Sequence, residues 1–383
     1  MNEKTLNILK QSFKEYYYKN AEKVETPTRI NEREFGYILF GKTMTRHLSF
    51  QQEGDLRAFL VKEAPSDIYY SIGYYFEPTL PMNEKGWKEA DLVFDIDADD
   101  IPTPCKSKHD NWVCKGCGYI GKGRKPTSCV KCGENRFEEQ NWVCNECLEF
   151  AKNETLKLID MLKNDFGINE NEIKIYFSGN MGYHVVVEDR LFRRLDQLAR
   201  NEISDYISGN NLTPENIGIF QRTSYEDIYK KIPLPNDPGW RGRIARYLQK
   251  LSEDNYEDFK IKFMEIYNRE RYKGFKILMR DVAKKMGAVI DTSVTTDIHR
   301  IFRLPGTLHG ETGLFKKRVL DLIGFNPLSD AVVLSEEPIN VFVDYSPEFI
   351  LKNQTYGPFR SQKVVLPLMA AIFLIGRRVA KVI

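Results

Sequence analysis

The stretch most informative about the fold is residues 91–100, Asp91-Leu-Val-Phe-Asp95-Ile-Asp97-Ala-Asp99-Asp100. Its pattern predicts a short apolar strand followed directly by acidic residues. Side chains alternate between the two faces of a strand, so Asp95 and Asp97 share one face while the apolar residues point into the core. Two carboxylates about 7 Å apart on one face repel each other unless a divalent cation lies between them. Oxygen ligands of this kind favour Mg²⁺ or Mn²⁺. The stretch therefore predicts either a metal site at the end of a core strand or simply a solvated strand end.

A second candidate site is the segment 178–184, Ser-Gly-Asn-Met-Gly-Tyr-His. The β-rich runs 173–177 and 183–187 flank it, which predicts a hairpin with two glycines in its turn. Such a turn exposes backbone N–H groups, and Ser178 and His184 add a hydroxyl and an imidazole. The segment can therefore cradle a phosphate, and an ordinary hairpin with a hydrogen-bonded histidine would give the same pattern.

A third candidate site begins at Asp291, where a carboxylate is followed by basic residues in turns that contain Gly and Pro. Asp291 supplies a third metal ligand. Arg300, Arg303 and His309 supply groups that bind the oxygens of a triphosphate.

All seven cysteines lie within residues 105–147. An odd number of cysteines in so short a stretch argues against a disulfide framework and for metal binding. With one histidine they form four closely spaced pairs: Cys105 and His109, Cys114 and Cys117, Cys129 and Cys132, Cys144 and Cys147. Eight ligands suffice for two tetrahedral zinc sites, and sites closed by four protein ligands are structural.

The tetrapeptide Asn-Trp-Val-Cys occurs twice, at 111–114 and at 141–144. We interpret residues 114–143 as an inserted zinc ribbon that splits an older site. The ribbon would use Cys114, Cys117, Cys129 and Cys132. The older site would use Cys105, His109, Cys144 and Cys147.

The ribbon is basic. From residue 114 to residue 133 there are five basic residues and no acid: Lys115, Lys122, Arg124, Lys125 and Lys131. This pattern suits contact with a nucleic-acid backbone, for which Lys122, Arg124 and Lys125 are the candidates, and a merely solvated loop would also account for it.

The composition is that of a folded protein. The 383 residues are 42% hydrophobic and 29% charged, which excludes disorder as a description of the whole chain. Because 56 basic and 54 acidic residues leave a net charge of +2, a polyanion must be bound by a local basic patch. The N-terminus lacks the apolar core of a signal peptide. The apolar run 364–375 is shorter than the ~20 residues of a membrane span, so we expect a buried C-terminal helix and no membrane contact.

The apolar spacing predicts an α/β (α+β) chain. Helical periodicity marks the first 25 residues and 148–166, and short alternating runs between 34 and 50 indicate strands. The predicted divisions are 1–104 for the first part of the α/β core, 105–147 for the zinc-binding insertion with its ribbon at 114–132, 148–188 for the core continued, 189–286 for a helical subdomain, and 287–383 for the rest of the core and the C-terminal apolar helix.

These features together indicate two-metal nucleotidyl transfer. In that chemistry the ions activate an attacking 3′-hydroxyl and stabilise the pyrophosphate leaving group. The protein itself performs little covalent catalysis, which agrees with the lack of a Ser/His/Asp or Cys/His nucleophile arrangement in the sequence.

Five motifs, in order, resemble the small catalytic subunit of archaeal-eukaryotic DNA primase, with an archaeal version favoured. They are Arg33-Glu34-Phe35, Arg46-His47-Leu48-Ser49-Phe50, Val93-Phe94-Asp95-Ile96-Asp97, Ser178-Gly179-x-x-Gly182-x-His184, and Asp291 followed by Arg303-Leu-Pro-Gly-Thr-Leu-His309. The order and spacing match from about residue 30 to the end of the chain. The segment around Leu366-Pro367 resembles the closing helix of the family.

The resemblance implies a "prim" core with an RRM-like half and a zinc-binding insertion. It assigns the catalytic Mg²⁺ or Mn²⁺ to Asp95, Asp97 and Asp291. The residues implied for nucleotide binding are Ser178, His184, Arg303, His309, Arg46 and Glu34. The zinc ligands of relatives match Cys105, His109, Cys144 and Cys147, so the ribbon is a departure from the family pattern. Asn180-Met181 is a second departure, because many relatives carry two arginines there, and Arg300 or another basic residue would have to compensate.

The main hypothesis is a DNA primase catalytic subunit that makes short primers de novo on single-stranded DNA from nucleoside triphosphates, for DNA replication. The resemblance implies a heterodimer with a large iron–sulfur subunit. We expect a cytoplasmic location, nucleoid-associated in an archaeon or nuclear in a eukaryote. The alternatives are a primer-extending repair or translesion polymerase of the same superfamily, a non-catalytic zinc-ribbon DNA-binding accessory subunit, and a metal-dependent nuclease.

Overall fold

The computed structural model describes residues 2–252 and 256–383, so residues 253–255 of the predicted helical subdomain lie outside the described residues. The helices are α1 (Glu3–Asn20), α2 (Glu53–Glu63), α3 (Lys106–His109), α4 (Asn145–Asn164), α5 (Arg190–Arg193), α6 (Gln197–Ser208), α7 (Tyr225–Lys230), α8 (Gly239–Leu251), α9 (Tyr256–Met286), α10 (Thr292–Thr296), α11 (Pro327–Asp330) and α12 (Leu368–Gly376). Within the described ranges, none of these helices is long and apolar enough to cross a bilayer.

The strands are β1 (Phe35–Ile38), β2 (Thr45–Leu48), β3 (Asp67–Ser71), β4 (Gly73–Tyr75), β5 (Trp87–Ala90), β6 (Leu92–Asp97), β7 (Asn111–Cys114), β8 (Ile120–Lys122), β9 (Phe137–Gln140), β10 (Ile173–Phe177), β11 (Gly182–Val187), β12 (Ile301–Arg303), β13 (Lys317–Arg318), β14 (Pro338–Ser346), β15 (Phe349–Leu351), β16 (Gln354–Tyr356), β17 (Phe359–Pro367) and β18 (Ala380–Val382). This mixture of helices and small sheets confirms the predicted α+β class.

The chain divides into two compact units. The first comprises Met1–Lys152, Lys174–Leu195 and Asp297–Ile383, and the second comprises Asn153–Ile173 and Asp196–Thr296. The second unit consists mainly of helices, including α6, α8 and α9.

Two four-stranded sheets organise the first unit, with strand orders β12-β3-β1-β2 and β13-β10-β11-β6. The predicted hairpin is present as β10 and β11, which are neighbours in the second sheet. Strand β11 pairs antiparallel with β6, so that His184 faces Asp95 and Gly182 faces Asp97. This register brings the second candidate segment against the first.

Strand β6 has the alternation that its sequence predicts. Phe94 and Ile96 are buried, whereas Asp95 and Asp97 on the opposite face are half-buried. The partner strand must approach closely, because a Cβ at Gly182 would lie 1.9 Å from the carbonyl oxygen of Ile96. Only glycine is therefore compatible with this pairing.

The C-terminal apolar run differs in detail from the predicted single helix. Its first residues, 364–367, end strand β17, and helix α12 starts only at Leu368. Pro367 stands at the boundary with φ −56° and has no N–H group to donate, which suits the position before a helix. The predicted burial is present, because α12 is buried from Met369 to Ile375.

Candidate active site and cysteine clusters

Residues from both four-stranded sheets line one cavity of about 190 Å³ in the first unit, here called the Asp95 cavity. Its lining contains seven residues from the sequence prediction, namely Asp95, Asp97, Ser178, His184, Arg300, Arg303 and His309. Tyr69, Asn180, Ile301 and Phe302 complete the lining. Three segments that are far apart in the sequence thus meet around one space.

Asp95 and His184 both line the cavity and lie close to each other. Nε2 of His184 lies 3.5 Å from Oδ1 of Asp95. Burial, followed by the charge of Lys316, lowers the pKa of His184 well below its ordinary value. The imidazole is therefore neutral at neutral pH and can donate a hydrogen bond from only one of its two nitrogens.

Lys316 is a component of this site that the sequence analysis missed. Its side chain is fully buried, and Nζ lies 2.7 Å from the carbonyl oxygen of Arg303 and 2.9 Å from Nδ1 of His184. Burial and the nearby Arg303 hold the pKa of Lys316 well below its usual range. Adjacent residues of an extended chain point to opposite faces, so the pair Lys316-Lys317 could have indicated that one of the two lysines faces inward.

Arg303 is held in place by a carboxylate that the sequence analysis also missed. Its Nη1 lies 2.5 Å from Oδ1 of Asp67, and its Nη2 donates to the hydroxyl of Tyr69 at 3.2 Å. Burial opposes ionisation of Asp67, but Arg303 outweighs it and the pKa of Asp67 falls below its ordinary value. The paired ions fix the guanidinium at the cavity wall.

The turn between β10 and β11 is organised by Ser178. Its Oγ accepts hydrogen bonds from the backbone N–H groups of Asn180 and Gly182, both at 3.2 Å. The predicted phosphate cradle therefore differs from the structure in one respect, since these two N–H groups already have a partner. The hydroxyl hydrogen of Ser178 is what this residue can offer to a ligand.

A basic residue from the C-terminus reaches the same turn. Nη2 of Arg377, just beyond α12, donates to Oδ1 of Asn180 at 3.3 Å, and Nη1 donates to the carbonyl oxygen of Asn141 at 2.9 Å. Burial lowers the pKa of Arg377 to about 10. Arg377 thus lies beside Asn180-Met181, where the family resemblance leads us to expect two arginines.

Glu34 and Arg46 form an ion pair within the first unit. Glu34 is fully buried, and its carboxylate accepts from Nε and Nη2 of Arg46 at 3.0 and 3.1 Å. Lys85, also fully buried, places Nζ 2.7 Å from the same carboxylate. Burial raises the pKa of Glu34, but Arg46 and Lys85 bring it below the ordinary value. The contacts show Glu34 anchoring two cations, and a role of this pair in nucleotide binding stays a prediction.

Asp291 belongs to the second unit, where it directly precedes α10. Its Oδ1 accepts hydrogen bonds from the backbone N and Oγ of Ser293, at 2.9 and 2.7 Å. Its assignment as a metal ligand stays a prediction.

The cysteines fall into the two predicted sets. Cys105, His109, Cys144 and Cys147 form the outer cluster, and Cys114, Cys117, Cys129 and Cys132 form the ribbon cluster. Within each cluster the ligand atoms all lie within 4.8 Å of one another. A tetrahedral zinc ion with Zn–S bonds of about 2.3 Å separates sulfur ligands by roughly 3.8 Å, so both clusters fit such an ion.

The outer cluster is anchored in buried structure. Sγ of Cys147 lies 3.2 Å from Nε2 of His109, while Nδ1 of this histidine lies 2.7 Å from Oδ1 of Asp110. The same carboxylate oxygen accepts from the backbone N of Trp142. A carboxylate on the second nitrogen is the usual orienting partner of a metal-bound histidine.

The ribbon cluster has a small core of its own. Strands β8, β7 and β9 form its sheet, and Trp112 packs with Cys114, Cys129 and Phe137. Lys122, Arg124 and Lys125 are exposed on this module. Lys125 forms an ion pair with Glu139, which reduces its availability to an external phosphate.

Known proteins resemble this chain over its whole length. A family model described as DNA primase small subunit matches residues 131–321. The protein named DNA primase small subunit PriS from Nitrosopumilus maritimus is 36% identical over 382 residues, with 100% of both chains covered. This chain belongs to the DNA primase small subunit family.

Two further archaeal proteins of the same name support the family assignment. The one from Cenarchaeum symbiosum is 35% identical, with 99% of each chain covered. The one from Archaeoglobus fulgidus is 36% identical and aligns with 97% of this chain and 96% of its own length. The resemblance inferred from five short motifs is confirmed, and the Asp95 cavity is the candidate active site of a primase small subunit.

Proposed function

We propose that this primase small subunit is the catalytic nucleotidyltransferase that synthesises primers de novo on single-stranded DNA for replication. Nucleoside triphosphates would be joined with release of pyrophosphate at each step. One observation carries the proposal: a single cavity combines two carboxylates of one strand face with two histidines and two arginines. Carboxylates can hold divalent cations, and the basic side chains can bind a triphosphate.

Asp95 and Asp97 are the proposed ligands of Mg²⁺ or Mn²⁺, and the family resemblance adds Asp291. The donor set fits a hard cation, because both carboxylates line the cavity from the same face of β6. Bound there, divalent ions supply activation of the attacking 3′-hydroxyl and neutralise charge on the departing pyrophosphate.

The remaining residues of the cavity are proposed to bind and orient the incoming nucleotide. Arg303, fixed by Asp67, presents a guanidinium that does not have to be reorganised when a phosphate arrives. Neutral His184, together with His309 and Ser178, can donate hydrogen bonds to phosphate oxygens. Arg300 also lines the cavity and adds a second guanidinium. Catalysis by positioning and charge stabilisation requires no covalent intermediate with the protein.

We propose zinc as the ion of both cysteine clusters, in a structural role. Sulfur and imidazole ligands in closed sets of four favour zinc over the harder cations assigned to the carboxylates. The proposed partners are single-stranded DNA and a large iron–sulfur subunit in a heterodimer. In the ribbon, Lys122 and Arg124 are the proposed contacts to the DNA backbone, with a smaller contribution from Lys125 because of its ion pair with Glu139.

The test is nucleotide incorporation by the isolated, zinc-loaded chain with Mg²⁺ or Mn²⁺. A single-stranded template without any primer should yield new short oligonucleotides. Extension only of a pre-annealed primer would contradict de novo synthesis and support the repair-polymerase alternative. Absence of incorporation, with DNA binding retained, would support the accessory alternative, and degradation of the template without nucleotides would indicate a nuclease.

A further inference from the structure

Lys316 is buried at a position where an apolar side chain would avoid the cost of burying an amine. Its side chain is fully inaccessible to solvent, whereas the neighbouring Lys317 is partly exposed. The backbone at Lys316 is fixed in both directions, since its N–H donates to the carbonyl of Thr307 at 2.8 Å and its own carbonyl accepts from Gly306 at 2.9 Å. Burial of an amine is costly unless its hydrogens find acceptors. We therefore expect the amine of Lys316 to have a specific role at this position.

Two neighbours of His184 favour a hydrogen on Nε2. Nζ of Lys316 donates to the carbonyl oxygen of Arg303 at 2.7 Å, lies 2.9 Å from Nδ1 of His184, and has further hydrogens to donate in either of its protonation states. On the other side of the ring, the carboxylate oxygen of Asp95 lies 3.5 Å from Nε2 and can only accept. When Nδ1 accepts from Nζ, a neutral imidazole carries its hydrogen on Nε2.

The fixed nitrogen points towards the place where chemistry is proposed. Nε2 of His184 lies 3.5 Å from Oδ1 of Asp95, and the ring lines the Asp95 cavity. The face of the ring is also restricted, because it packs edge-on against Phe302 with centroids 4.6 Å apart. Ring orientation and hydrogen position are thus both set before a nucleotide enters.

We propose that Lys316 is a positioning residue that locks His184 in its Nε2–H form, so that the imidazole donates a hydrogen bond to a phosphate oxygen of the incoming nucleotide. The proposal rests on the proposed function of the cavity. Without Lys316 the imidazole populates both neutral forms. In the Nδ1–H form, Nε2 presents a lone pair to an anionic ligand, and the hydrogen bond is replaced by repulsion.

The first test measures the hydrogen position directly and does not depend on activity. The chain has five histidines, so the ¹⁵N signals of selectively labelled protein can be assigned with the variant His184→Gln. At neutral pH we expect His184 to show a protonated Nε2 and an unprotonated Nδ1. A protonated Nδ1 in the wild-type chain would overturn the proposal even if the chain synthesises primers normally.

The second test asks whether Lys316 acts through His184. Lys316→Met should raise KM for the incoming nucleotide about tenfold, the typical cost of a lost charge-assisted hydrogen bond, with a smaller change in kcat. The same substitution in the His184→Gln background should have little further effect, because the group that Lys316 positions is gone. Equal losses in both backgrounds would overturn the coupling.

Lys317→Met is the matched control, since it removes the same charge from the adjacent position. Its Nζ donates to the carbonyl of Asp330 at 3.3 Å, away from His184, and nucleotide KM should stay unchanged. If Lys316→Met does not fold, Lys316→Gln retains an N–H donor for one acceptor and is taken through the same cycle. If the wild-type chain makes no primers, the proposed function fails, while the ¹⁵N measurement still decides the hydrogen position.

Discussion

The Asp95 cavity and the outer cluster both gather side chains that we propose bind metal ions, but they do so in opposite ways. In the cavity, Asp95 and Asp97 are half-buried on a strand face that shares an open space with the side chains proposed to bind phosphate. In the outer cluster, Cys105 and Cys147 are buried, and His109 is held by Asp110. A catalytic site must leave coordination positions to substrate, whereas a structural site fills them with protein.

The ribbon cluster adds a third arrangement, because two of its ligands, Cys117 and Cys132, are exposed. The outer cluster continues into the core through Trp142, whose ring lies 6.0 Å from those of Phe349 and Phe373. The ribbon packs mainly against its own Trp112. Substitutions at the three places should therefore have different effects. We expect those in the cavity to reduce primer synthesis and those in the outer cluster to reduce the free energy of unfolding. Those in the ribbon cluster should destabilise the ribbon alone.

The largest effect of a single substitution is expected at the third proposed carboxylate. Asp291→Asn should lower the rate of primer synthesis by about 10³-fold, because several kcal/mol of transition-state stabilisation depend on the metal ligands. Zinc content and the unfolding midpoint should stay as in the wild type. Asp281→Asn, an exposed site in the same unit, is the control and should have full activity. Full activity of Asp291→Asn would remove it from the ligand set.

The next effect concerns stability. Cys147→Ala should release one of the two proposed zinc ions and lower the free energy of unfolding by about 3–5 kcal/mol, as expected for loss of a buried metal site. Denaturant unfolding with zinc analysis of the same samples measures both quantities. An unchanged unfolding midpoint would show that the outer cluster does not stabilise the core.

A smaller, local effect is expected in the ribbon. Cys117→Ala should also release one zinc ion, yet leave the main unfolding transition in place, because the ribbon can unfold as a separate unit. Hydrogen exchange should increase within residues 114–140 and remain unchanged in β6 and β11. Increased exchange throughout the first unit would contradict the distinction between the two clusters.

The smallest effect concerns DNA binding by the ribbon. For single strands, log K falls with log salt concentration with a slope of roughly −0.7 per neutralised phosphate, so Lys122→Gln with Arg124→Gln should reduce the slope by about 1.4. Lys10→Gln with Lys14→Gln removes the same charge from exposed positions of α1 and should leave the slope unchanged. Equal slopes for the wild type and the ribbon variant would exclude this DNA contact.

Local spacing was sufficient to predict a strand at 92–96, the hairpin that follows the cysteines, and the grouping of eight ligands into two clusters. In each case the information lies within a few residues: alternation along a strand, glycines in a turn, or cysteines with two residues between them. The repeated Asn-Trp-Val-Cys tetrapeptide separated the two clusters because we interpreted its two copies as the edges of an insertion.

The partners that hold the functional side chains could not be predicted in this way. Lys316 lies 132 residues from His184, and Asp67 lies 236 residues from Arg303. Their contacts depend on how strands from distant segments pair, which residue spacing along the chain does not encode. The boundary at Pro367 was missed for a different reason. The apolar run has no clear period to separate a strand from a helix, and Pro367 is its one local signal for a helix start.

The assignment of the Asp95 cavity as the active site is tested by primer synthesis with the variant Asp95→Asn combined with Asp97→Asn. The double variant removes both negative charges while keeping the size of the side chains, and Asp99→Asn combined with Asp100→Asn serves as the control from the same acidic run. On an unprimed single-stranded template, we expect no detectable product from the first variant, two bound zinc ions per chain in both, and wild-type synthesis by the control. Synthesis at the wild-type rate by the Asp95/Asp97 variant would contradict the assignment of the Asp95 cavity as the active site.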